Sequence, residues 1–209
     1  MTTIRTSKED VVAAFRRGEL LNAALRVFGA RGFEQATMDA IAEEAEVAKG
    51  TIYLYYPSKQ AIYDAAFDES MSELQRLTDA RIEAAPNARD AVAGFVDVRV
   101  RYFQEHPDYY RIYVSEMGRQ LSDHAPKRNA CKPAMDAQTR SLQRVFERAV
   151  KSGEVRRIDP ASAALAVFDI TRGLVGRRLL TCAKSDVARD IAFITDLIWS
   201  GLKHEGPTA

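Results

Sequence analysis

Helical periodicity interrupted only at prolines and glycines is the feature that most constrains this chain. Its seven prolines stand at 57, 86, 107, 126, 133, 160 and 207, mostly between segments whose apolar residues recur every three or four positions. Alanine, the strongest helix former, occurs 32 times in the 209 residues. Alternating β-branched stretches are short. The best, Phe95 to Tyr102, lies inside a longer run whose apolar positions also fit one helix face. The pattern predicts an all-α chain of about nine helices.

Glu19 to Ala30 carries Leu21, Ala24, Leu25 and Phe28 on one stripe, and Gly29 and Gly32 end it. Thr37 is placed to cap a helix of about eight residues whose Met38, Ile41, Ala42 and Ala45 repeat the spacing. So short a helix needs packing partners to persist. Lys49 to Tyr56 follows after a tight break and is closed by Pro57. Ile52 and Tyr56 share its apolar face, leaving a basic, hydroxyl-rich surface of Lys49, Thr51, Tyr53 and Tyr55. Ser58 then caps a long helix with Ile62, Ala66, Phe67, Met71, Leu74 and Leu77 facing inward. Further helices are expected over 88–105, 107–120, 134–152, 160–182 and 186–204, with Pro107, Pro133 and Pro160 at first helical positions and Asp159 as a cap. Ser122 to Lys132 reads as the mobile loop.

Charge initially argues against a nucleic-acid partner. Thirty Lys+Arg against 29 Asp+Glu leave +1, and residues 1–59 carry eight of each sign. No run approaches the roughly 18 apolar residues of a membrane span, and the start lacks a secretory stretch, so a cytoplasmic protein without a membrane partner is expected. Cys131 and Cys182 stand alone, as incidental thiols rather than a disulfide or zinc set. His106, His124 and His204 are scattered, and no nucleophile–base pair, metal spacing or phosphate loop occurs, so neither catalysis nor a cofactor is expected.

Two short helices joined by a tight turn, the second exposing Lys, Thr and Tyr, describe a helix-turn-helix over 37–56. Phe28, Gly32, Thr37, Ile41, Ala42, Ala45, Val47, Gly50-Thr-Ile-Tyr53, Tyr55-Tyr56 and Lys59 resemble the N-terminal DNA-binding domain of the tetracycline-repressor (TetR/AcrR) family over about 47 residues. Glu46 replaces the family's usual glycine before the turn valine, where a left-handed backbone suits glycine better. Tyr56 replaces its common phenylalanine.

The resemblance implies a DNA-binding domain over 14–74 and a helical effector-binding and dimerisation domain over 75–209. It implies that Thr37, Lys49, Thr51, Tyr53, Tyr55 and Lys59 contact the duplex and that Gly50 lets backbone approach a phosphate. Lys49 and Lys59 offer charge to phosphates, and Thr51 is suited to a base edge, with Ala48 beside it to touch a methyl. Arg5, Lys8, Arg16 and Arg17 could add contacts from a flexible arm. The acids fall largely on Asp39, Glu43, Glu44 and Glu46 while Lys49 and Lys59 bracket the reading helix, which predicts weak non-specific affinity and a modest salt slope.

Residues 161–182 are apolar nearly all round, and Val187, Ile191, Ile194, Ile198 and Leu202 stripe the last helix. Gly173 and Gly176 allow close approach. Helices 160–182 and 186–204 are therefore expected to build a homodimer interface of about 2,000 Å² or more. A two-fold dimer reads half-sites roughly 34–36 Å apart, hence a near-palindromic operator. For a small-molecule effector the candidate contacts are Tyr102, Phe103, Tyr110, Tyr113, Met117, Phe168 and Arg172, with Tyr109 and Phe146 in the same aromatic set. Arg172, a charge in an apolar helix, must be paired or face a ligand. The expectation is a repressor released by that effector, against a helical module that has lost DNA binding.

Overall fold

Residues 8–120, 131–181 and 186–202 of the computed structural model form nine helices: α1 (Lys8–Gln35), α2 (Met38–Glu44), α3 (Lys49–Tyr55), α4 (Lys59–Glu83), α5 (Ala88–Glu105), α6 (Pro107–Gln120), α7 (Cys131–Ser152), α8 (Pro160–Leu180) and α9 (Val187–Leu202). No strand occurs among these residues. Local signals set most of the starts. The Thr37 hydroxyl oxygen accepts from the Ala40 amide at 3.1 Å, the Ser58 hydroxyl from Ala61 at 3.1 Å, and the Asp159 carboxylate from Ser162 at 2.8 Å. The hydrogen bonds from Ser162 hold the Asp159 carboxyl below its ordinary range. Pro107 and Pro160 open α6 and α8 as expected. Pro133 instead falls third in α7, still within the first turn, where no intrahelical donor is lost.

The first helix differs most from expectation. α1 begins eleven residues before Glu19, so Arg16 and Arg17 lie on a helix rather than a flexible arm, and Arg16 pairs with Glu19 at 2.9 Å. Arg5 lies outside the described residues, as do Cys182, His124, His204 and most of the Ser122 to Lys132 stretch. Gly32 breaks α1 with a left-handed φ of 73°. Gly29 does not: it is helical, and a Cβ there would stand 2.6 Å from the Asp108 Cβ, so glycine is what lets α6 come this close.

The described chain divides into two compact units. One comprises the residues through Ser70 together with α6 from Asp108, and its core holds Leu20, Phe28, Ile41, Ile52, Ile62, Phe67 and Tyr109. The other begins at Met71, runs through α5 and resumes with α7, and its core holds Leu74, Phe95, Phe103, Phe146 and Phe168. In the second unit α5 packs on α7, α8 and α9, and α7 on α8. No helix among the described residues is long and apolar enough to cross a membrane.

Candidate nucleic-acid interface

α2 buries Met38, Ala40, Ile41 and Ala42 within seven residues and packs on α1 and α3. Its end is closed by two backbone bonds, Val47 N–H to Ala42 O at 3.0 Å and Glu46 N–H to Glu43 O at 3.1 Å. This is a Schellman closure, which needs one left-handed residue, and Glu46 supplies it at φ 53°. The left-handed geometry expected at this position is therefore present, without the glycine that suits it.

α3 buries Ile52 alone. Ala48, extended at its N-cap, and Lys49 and Gly50 are exposed. Tyr53 is exposed, Thr51 and Tyr55 are half-buried, and Tyr56 forms the C-cap. Burial pushes the Tyr56 hydroxyl pKa up, opposed by the charge of Arg17 on α1, so this ring is lodged toward the first helix. Thr37 is exposed at the head of α2. Thr37, Ala48, Lys49, Gly50 and Tyr53 thus stand on the exposed surface of the motif, and nothing lies within 4 Å of where a Gly50 side chain would project.

Leu54 was not among the expected contacts, yet it is 84% exposed in the middle of α3. The signal was available: two positions past Ile52 a helical residue points nearly opposite the buried face.

The two lysines have different partners. Lys49 donates to Asp39 at 2.6 Å, a pair open to solvent that raises the lysine's pKa above its ordinary value. Asp39 also lies in the first turn of α2, where a carboxylate complements the helix dipole. Lys59 is bonded within the chain. Its ammonium donates to the carbonyls of Phe33 at 2.7 Å, Ala36 at 3.0 Å and Glu34 at 3.2 Å, and sits 4.5 Å from the Phe33 ring centre. An ammonium has three donors, and all three serve the end of α1. Phe33 in turn meets the Tyr63 ring at 4.9 Å, and the Tyr63 hydroxyl donates to the buried Glu116 of α6 at 2.7 Å.

The residues expected to face an effector are divided between the units. Tyr110, Tyr113 and Met117 lie on α6, with Tyr110 and Tyr113 rings 6.4 Å apart. Tyr102, Phe103 and Phe168 are buried in the second unit. Arg172, expected to be paired or to face a ligand, is half-exposed and pairs with Asp169 at 3.0 Å, one turn earlier on α8. Two guanidinium side chains are buried among the described residues, Arg99 on α5 at 1% exposed and Arg178 on α8 at 4%, and the sequence expectations passed over both.

Comparison with known proteins agrees with this geometry. Residues 20–66 match the profile of the bacterial regulatory proteins of the tetR family. The HTH-type transcriptional regulator RutR of Escherichia coli (strain K12) is 27% identical over 175 residues, covering 80% of this chain and 77% of RutR. The fatty acid metabolism regulator protein of Bacillus subtilis (strain 168) is 21% identical over 188 residues, 90% of this chain and 95% of that protein. The crystal structure of the regulator FadR from Bacillus subtilis in complex with stearoyl-CoA superposes with a TM-score of 0.76 at 21% identity, over 88% of this chain and 98% of FadR. A transcriptional regulator from Pseudomonas aeruginosa PAO1 superposes with a TM-score of 0.77 at 22% identity, over 95% and 94% of the two chains. With its helix-turn-helix and its nine described helices, the chain carries the DNA-binding domain of the tetR family over residues 20–66 and is similar along most of its length to transcriptional regulators of that fold.

Proposed function

We propose that this regulator is a homodimeric repressor that reads a near-palindromic operator with α3 of each protomer and is released by a small-molecule effector. One observation carries the DNA contact: α3 is anchored by Ile52 alone and leaves Ala48, Lys49, Gly50, Tyr53 and Leu54 exposed beside Thr37. Lys49 exchanges Asp39 for a phosphate, Gly50 admits the backbone, Thr51 reaches a base edge, Tyr53 and Tyr55 donate to phosphate, and Leu54 meets a thymine methyl. Lys59 acts at one remove, by fixing the end of α1.

Leu165, Ile170 and Leu180 on α8 and Phe193 and Leu197 on α9 are large apolar residues left exposed in the single chain. A second copy covering them supports the dimer and the two-fold operator. A stearoyl-CoA complex of a similarly folded regulator supports a small effector, which acts by binding one conformation more tightly than the other.

Selection from a random DNA pool is expected to return a near-palindrome with half-sites about one helical turn apart. In gel shifts on that sequence, Thr51→Ala relaxes specificity, and Lys49→Ala weakens binding at every sequence and lowers the salt slope by about one. Wild type and both variants binding equally weakly, without salt dependence, overturns the reading.

A further inference from the structure

α9 packs on α5 inside the second unit, and a groove of about 670 Å³ runs between them. That is the size of a small-molecule site, about 300–1,000 Å³. The two helices run antiparallel along it. Arg89, at the start of α5, pairs with Asp196, late in α9, at 2.5 Å. At the other end Arg101 pairs with Asp97 at 2.7 Å and also feels the charges of Glu105 and of Asp186, whose carboxylate accepts from the Ala188 amide at the start of α9. Ala93 and Ala192 line the groove from its two sides, over the buried Ile191 and Thr195.

Most polar groups here are already matched. Asp196 and Asp97 have their arginines, and Asp90 accepts from the Asn87 amide at 3.0 Å in the first turn of α5, where the helix dipole favours a carboxylate. Two groups are left over. Arg189, exposed at the Arg101 end, has no ionic or hydrogen-bonding partner among the described residues. The Thr195 hydroxyl, in a residue 6% exposed, has none either. Thr78, Thr139 and Thr171 each donate to a carbonyl one turn earlier on their own helix, at 2.7, 2.9 and 2.7 Å. Thr195 does not, so rotation about its χ1 turns the hydroxyl toward the groove without breaking a hydrogen bond.

We propose that this groove binds an elongated hydroxy acid, with its carboxylate on Arg189, its apolar body between Ala93 and Ala192, and its hydroxyl on Thr195. The helix rises about 9 Å from Arg189 to Thr195, which sets the separation of the two polar ends. A rigid aromatic acid with a para hydroxyl and a short unsaturated arm spans that distance, and a hydroxybenzoate falls short of it. The carboxylate gains a charge-assisted bond, and the buried hydroxyl gains the partner it lacks. Phe193, on the groove rim, also belongs to the face assigned above to a second copy, so the ligand lies at the edge of that interface and not within it. The assignment is one of binding and does not depend on effector release.

The test is calorimetry on the full-length protein with 4-hydroxycinnamate. Its controls are cinnamate, which lacks the hydroxyl, 4-hydroxycinnamamide, which lacks the charge, and 4-hydroxybenzoate, which is too short. 4-Hydroxycinnamate is expected to bind, and each control to bind about fivefold or more weakly. Arg189→Gln is expected to abolish the preference for acid over amide and to keep the preference for the hydroxyl. Thr195→Val is expected to do the reverse, and to hold or raise Tm, because it removes a buried hydroxyl that has no partner. A merely structural Thr195 would instead lower Tm on replacement and leave 4-hydroxycinnamate preferred over cinnamate. Ala192→Leu fills the groove from an exposed position, so binding should vanish at an unchanged Tm. The proposal is overturned if 4-hydroxycinnamate does not bind, if wild type binds any control as tightly, or if any of these variants binds every compound as wild type does.

Discussion

α3 buries one residue of seven, Ile52, whereas α5 buries ten of eighteen and places Arg99 among them. The reading helix keeps its polar groups at the surface, where they cost little and remain available to a duplex. Its hold on the rest of its unit is correspondingly thin. In the core around α5 a polar group is expensive, so a buried polar side chain such as Arg99 must be met by partners that other helices bring to it, as Gln138 of α7 is. A surface site of this kind is recognised by residue types at fixed spacing. A buried polar group is recognised only once folding shows which partners packing brings to it.

If that contrast is correct, truncation should act differently in the two places. Phe168→Ala removes a fully buried ring that packs 6.5 Å from Phe95 and 4.7 Å from the Arg99 guanidinium. It is expected to cost about 4 kcal/mol of global stability, read from the urea midpoint. Ile52→Ala removes the single anchor of α3, at about 3 kcal/mol, and a helix this short does not persist unanchored. Amide exchange in α3 should speed up and operator binding should vanish while the urea midpoint moves less than for Phe168→Ala. Equal global losses, with α3 exchange no faster than elsewhere, would break the contrast.

Lys59 sharpens it. As a phosphate contact its loss would lower the salt slope of DNA binding and leave Tm alone. As the donor to three carbonyls at the end of α1, its replacement by Met should cost about 2 kcal/mol and lower Tm. Operator affinity should fall through the misplaced start of α4, with the salt slope unchanged. A normal Tm with a slope reduced by one returns Lys59 to the phosphates.

Legibility followed the range of the interaction. Caps act over three residues, and Thr37, Ser58 and Asp159 were all readable, as were the spans of α5 and α6. The exposed motif residues were readable because Ile52 alone fixes the face. The start of α1 was not. Val11, Val12 and Phe15 have helical spacing but are exposed, so no buried stripe announces them. The intrachain bonds of Lys59 were not readable because their acceptors lie 23 to 26 residues away. For Arg172 the sequence left pairing and ligand contact open, and Asp169, three residues earlier, reaches it on the helix surface. Arg99 meets Gln138 across 39 residues and a different helix, which no local pattern encodes.

The smallest test compares two helix ends with the same closure and different residues in its left-handed position. α7 ends with Gly153 N–H to Val150 O at 3.2 Å and Glu154 N–H to Ala149 O at 2.9 Å, with Gly153 at φ 78°. α2 ends with the same pair of bonds around Glu46 at φ 53°. A side chain in this conformation costs roughly 1–2 kcal/mol, of which glycine's extra chain entropy gives back about 0.5–1. Glu46→Gly should therefore stabilise by about 1 kcal/mol and Gly153→Ala destabilise by about as much. Glu46→Gly also removes a carboxylate from the turn before α3, so non-specific DNA binding at low salt should rise slightly. If Glu46→Gly destabilises instead, the Glu46 side chain contributes more to the turn than its backbone strain removes, and the left-handed position is held by contacts rather than despite them.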